Sequence, residues 1–128
     1  MNHAEMTDRI ATGQGFIAAL DQSGGSTPKA LRGYGVDDSE WSGDEEMFGA
    51  IHAMRARVIT SPCFASGKVI GAILFERTMD DVVDGVSTGD ALKARGIVPF
   101  IKVDEGLADD ADGVQLMKPM VKLAALLE

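Results

Sequence analysis

Three runs of this chain are apolar on both parities: Phe16 to Leu20, Val69 to Phe75, and Ile97 to Val103, the last interrupted by Lys102. A strand with one wet face alternates between apolar and polar positions. Runs without alternation read as strands covered on both faces, as in a parallel sheet. Helical patterns separate them. Ser26-Thr27-Pro28-Lys29 resembles a helix start, with a hydroxyl cap before a proline in the first turn. Gly43 to Val58 places Met47, Ile51, Met54 and Val58 at helical spacing behind the acidic first turn Asp44-Glu45-Glu46. Ser87-Thr-Gly-Asp90 reads as a variant capping box leading into Ala91 to Arg95, and Gly96 is placed to stop that helix. Val121 to Glu128 reads as the beginning of one more helix.

Strand and helix in strict alternation predict an α/β fold with a parallel sheet and right-handed crossovers. Three such strands alone leave both edges unpaired and the faces half covered. A closed (β/α)8 barrel takes about 250 residues. The 128 residues are therefore expected to be one domain that is a piece of a longer protein, with completion by association as the other possibility.

Composition narrows the partners. The formal net charge of −8 and the lack of a Lys/Arg cluster argue against nucleic acid. The polar N-terminus MNHAEMTDRIATGQG has no apolar signal core, and no window approaches a membrane span. Cys63 is the one cysteine, so no internal disulfide can form, which suits a reducing, cytoplasmic setting. It reads as a small buried or loop thiol. His3, in the tail, and His52, on the Gly43–Val58 helix, do not combine with Cys63 into a metal-ligand set. The run Asp109-Asp-Ala-Asp112 lacks the spacing of a calcium loop and reads as solvated. Met47 and Met54 read as core, and Tyr34 and Trp41 as packing for a connecting loop.

In parallel α/β folds the chemistry gathers at the carboxyl ends of the strands. Here those ends read Asp21-Gln-Ser-Gly-Gly-Ser26, Glu76-Arg-Thr78 and Lys102-Val-Asp-Glu-Gly106. Gly24 and Gly25 would let backbone amides approach an anion, with hydroxyls from Ser23 and Ser26, although an ordinary turn and cap would look the same. Asp21 could act in proton transfer, orient a lysine, or be a structural carboxylate. Lys102, leaving an apolar strand, could be an amine for covalent chemistry, a fixed cation, or a snorkelling surface lysine. On neighbouring strands, Asp21 and Lys102 would form a charge pair lining one pocket.

The segments GFIAALDQSGGSTPKAL, GAILFERTM, IVPFIKVDEGL and GVQLMKP, in this order, resemble class I (Schiff-base) fructose-bisphosphate aldolases of the bacterial type. The resemblance runs from about Gly13 to Pro119. It implies the N-terminal half of a TIM barrel, about three βα units, within residues 1–128. The implied reaction is reversible cleavage of fructose 1,6-bisphosphate to dihydroxyacetone phosphate and glyceraldehyde 3-phosphate in glycolysis. The implied chemistry is a lysine imine, with no metal or other cofactor.

Carried over by motif, Asp21 matches an active-site aspartate near the reacting carbons. Ser23 and Ser26 match hydroxyls associated with a substrate phosphate. Lys102 matches the lysine of the IKVD motif, which contributes positive charge; the imine lysine is then expected beyond residue 128. The tail MVKLAALLE departs from the Pro-Gly continuation expected after QLMKP. The expected partners are sugar phosphates and further copies of the chain. The other reading is a catalytically incomplete half-barrel that binds sugar phosphate or associates with another chain.

Overall fold

The computed structural model describes residues 1–127. Its centre is a parallel sheet of β1 (Phe16–Leu20), β2 (Val69–Leu74) and β5 (Val98–Ile101), in the order β1-β2-β5. Leu20 pairs with Leu74 and Leu74 with Ile101, so the three strands end at one level. β2 is the central strand and is buried along most of its length, as its unbroken apolar run predicts. The two outer strands are shorter and more exposed; β1 is not covered on both faces as its apolar run predicts, because it stands at the sheet edge with Phe16 and Ile17 open to solvent.

Crossover helices cover one sheet face. From β1 the chain passes through α2 (Thr27–Gly33), a 3-10 turn (Asp38–Glu40) and α3 (Gly43–Thr60) to β2. Ile59 and Phe64 from this crossover pack under Ala18, Ala72 and Leu74. Met47, Ile51 and Met54 form a second cluster with Leu31 of α2, so the methionines are core. Trp41 packs against that cluster, whereas Tyr34 is exposed rather than packed into the loop as expected, since it follows the last turn of the short α2.

After β2 come α4 (Glu76–Asp80), a hairpin of β3 (Val82–Val83) and β4 (Val86–Ser87), and α5 (Thr88–Ala94), which returns to β5. Ser87 caps α5, its hydroxyl accepting from the Asp90 amide at 3.1 Å. Gly96, at φ 72°, ends that turn in the left-handed region that glycine enters at low cost. The expected last helix is the single turn α6 (Leu123–Leu126); Glu128, assigned to it from the sequence, lies outside the described residues. Among the described residues no helix is long and apolar enough to cross a membrane.

An element the polar N-terminus did not announce is α1 (His3–Thr12). It starts with a reciprocal capping box between Asn2 and Glu5 and packs against β2 and β5. Met6 and Ile10 line a cavity there together with Val98 and Phe100. The Phe100 ring in turn lies across Gly71, where a Cβ would stand 2.8 Å from a ring carbon. Gly71→Ala should therefore force that ring or the strand to shift. A lowered urea midpoint equivalent to about 1–3 kcal/mol is expected; an unchanged midpoint would mean that the ring swings aside freely.

Candidate active site

Each strand delivers its next residues to the same end of the sheet. β1 delivers Asp21, β2 delivers Phe75 and Glu76, and β5 delivers Lys102, whose backbone amide still bonds the Leu74 carbonyl at 2.8 Å. The Lys102 ammonium lies 3.9 Å from Asp21 Oδ2, and both side chains are largely buried, at 18% and 26% exposure. Its nearer partner is Asp104, which accepts a hydrogen bond from it. The second Asp104 oxygen accepts from the Gly106 amide at 3.0 Å. The bond from Lys102, followed by that amide, holds the Asp104 carboxyl below the usual carboxylate range. An ammonium flanked by two anions is arranged as a fixed cation.

Two cavities open beside this lysine. One, of about 290 Å³, is lined by Ser23, Phe75, Glu76, Lys102, Asp104 and Lys122. The other, of about 490 Å³, is lined by Asp21, Lys102 and Asp104 together with the apolar Ile17, Ile73 and Phe100. The site thus has polar groups converging on one edge of an apolar surface, the usual make-up of a small-molecule pocket.

The Ser-Gly turn splits in two. Ser23 faces the smaller cavity. Ser26 lines neither cavity; it stands at the N-cap position of α2, but the hydroxyl cap expected from the sequence does not form, because the Ser26 hydroxyl donates back to the Ser23 carbonyl at 3.1 Å. Gly24 and Gly25 are exposed, with no atom crowding the position a Cβ would take, so the backbone there is open to approach.

Three groups escaped the sequence reading. Asp104 stood in the strand-end string, and its i, i+2 spacing from Lys102 was the available signal. Lys122 reaches the site from the far tail and pairs with Glu76 at 3.2 Å. Arg55 of α3 is fully buried behind the strand ends, where its guanidinium bonds the Gln22 carbonyl and the Thr78 hydroxyl. Burial pushes Arg55 down to about 10, with Asp21's charge acting the other way, so it remains a cation at neutral pH.

His52 bonds the Val82 carbonyl at 2.9 Å, 3.6 Å from Asp81, and so ties α3 to the hairpin. Cys63 is an exposed loop thiol and the Asp109–Asp112 run is solvated.

A family model described as glycolytic, fructose-bisphosphate aldolase class I, matches residues 3–115. The chain belongs to that family. The match takes in α1 as well as all three strands of the parallel sheet. Aldolase chemistry, a carbon–carbon lyase reaction, is the function class to which the aldolase site is to be fitted.

Proposed function

We propose that this aldolase chain supplies the first three βα units of a (β/α)8 barrel. The complete unit cleaves fructose 1,6-bisphosphate reversibly into dihydroxyacetone phosphate and glyceraldehyde 3-phosphate in cytoplasmic glycolysis. The observation that carries the reading is Lys102 held between Asp21 and Asp104 at the level where the three strands end. Lys102 then serves as a fixed cation for the substrate and Asp21 acts beside the reacting carbons. Ser23 and Ser26 hold a phosphate, Ser23 from the cavity wall and Ser26 through the turn that its bond to the Ser23 carbonyl closes.

The reacting amine belongs to another lysine, outside these residues. Its condensation with the substrate ketone releases water and leaves an imine. As the neighbouring carbon–carbon bond breaks, the imine accepts the electron pair and the hydroxyl on the departing carbon loses its proton. Cations gripping the phosphates keep that bond aligned.

Borohydride added with dihydroxyacetone phosphate should reduce the imine and attach the label irreversibly, and EDTA should leave cleavage intact. Loss of activity in EDTA would overturn the metal-free assignment. A second reading rests on the unpaired sides of β1 and β5 and the exposed Phe16 and Ile17. On it the chain binds sugar phosphate or another chain without catalysis. Shifts of the Ser23–Gly25 amide resonances with inorganic phosphate, without any borohydride label, would favour it.

A further inference from the structure

Arg55 is a cation with no exposed surface, and among the described residues no carboxylate forms a hydrogen bond with it. Instead one guanidinium nitrogen donates to Thr78 Oγ1 at 2.6 Å. A second donates to the Gln22 carbonyl at 2.7 Å and to Gln22 Oε1 at 3.2 Å, while the third, Nε, is buried without a partner among the described residues. Burying a guanidinium among neutral acceptors is costly, and a hydrophobic residue of similar size would serve packing alone as well. The acceptors lie on two different strand ends. Gln22 directly follows Asp21 at the end of β1, and Thr78 sits in α4 just after β2. The Gln22 carbonyl also accepts from the buried Thr27 hydroxyl at 3.3 Å, so both ends of the Ser-Gly turn depend on this oxygen.

We propose that Arg55 is a positioning residue whose planar, two-nitrogen fork clips the end of β1 to the end of β2. It thereby fixes Asp21 and the Ser23–Ser26 turn relative to Lys102. The catalytic part of this inference rests on the aldolase reading above; the clip itself does not. Lysine cannot replace arginine here, because one ammonium on a flexible stem does not span acceptors on two elements in a fixed geometry. Displacement of a reacting group by about 1 Å costs about 100-fold in rate.

The test compares Arg55→Lys and Thr78→Val in the complete aldolase unit by steady-state kinetics and amide hydrogen exchange. In Arg55→Lys, kcat should fall about 100-fold while KM stays close to the parental value. The Ser26 and Thr27 amides, both bonded to the Ser23 carbonyl, should exchange about tenfold faster while those of β2 keep their protection. Thr78→Val retains the cation and removes one acceptor, so smaller changes in the same direction are expected; it carries the test if Arg55→Lys does not fold. The double variant should fall short of the sum of the two.

Uniformly faster exchange across the sheet would show a role in stability alone and overturn the proposal. So would faster turn exchange with unchanged kcat. A parental protein that neither cleaves the bisphosphate nor takes up borohydride label would sink the aldolase reading, and the exchange pattern would still decide the clip.

Discussion

Asp21→Ala in the complete aldolase unit is expected to lower kcat by about 10²–10⁴-fold, the range for a side chain acting in proton transfer or in the field at the reacting carbons. KM should move far less. Apart from the charge that Asp21 offers the buried Arg55, the surroundings make the substitution a clean one. Lys102 keeps its closer partner Asp104, so the cation stays in place when the residue 21 carboxylate is removed. Asp21 also lies past the last paired residue of β1, so the ladder from Ile17↔Gly71 to Leu20↔Leu74 is untouched. The loss would then report the carboxylate itself. Steady-state cleavage kinetics measure it, and a variant with parental kcat would remove Asp21 from the chemistry.

Lys102 is the other position where a large effect is expected, and there the pattern differs. A cation that grips substrate contributes in the ground state and in the transition state, so Lys102→Met should raise KM as well as lower kcat. A charged hydrogen bond of about 1.5–3 kcal/mol corresponds to a KM rise of about 10- to 100-fold. Lys102→Arg preserves the charge and should keep part of the activity, although its planar head fits poorly between Asp21 and Asp104. Were Lys102 the imine-forming amine, both variants would be equally inactive. Borohydride trapping of Lys102→Met separates the cases. Label should still enter, at another lysine; its complete loss from a folded variant would make Lys102 the covalent residue.

The sheet was legible in the sequence because parallel strands covered on both sides are apolar at every position, and β2 is the clearest example. The ends of those strands were legible for the same reason, since polar residues there interrupt a long apolar run. What stayed hidden depends on other forces. α1 begins with a capping box between Asn2 and Glu5 and buries none of its residues fully; its apolar side rests on Met6 and Ile10, too short a stripe to stand out in a polar segment. The β3–β4 hairpin has two residues per strand, too few for alternation to register. Its signal was the Asp84-Gly85 turn, with both residues at positive φ. Arg55 was the hardest to see. Between Met54 and Ala56 a charged residue suggests solvent, and its burial follows only from acceptors at positions 22 and 78 converging in space.

Every pairing in the parallel sheet spans a crossover: Phe16 meets Val69, and Gly71 meets Val98. This has a consequence for the nascent chain on the ribosome. β1 emerges early, with its Phe-Ile-Ala-Ala-Leu run and no partner yet synthesised. It must wait for the whole of α2 and α3 before β2 can shield it, and contacts so distant in sequence form slowly. During that interval the apolar segment is available to other nascent chains and to holding chaperones alike. The strand that leads into Asp21 is thus left uncovered for the length of that crossover, until β2 secures it.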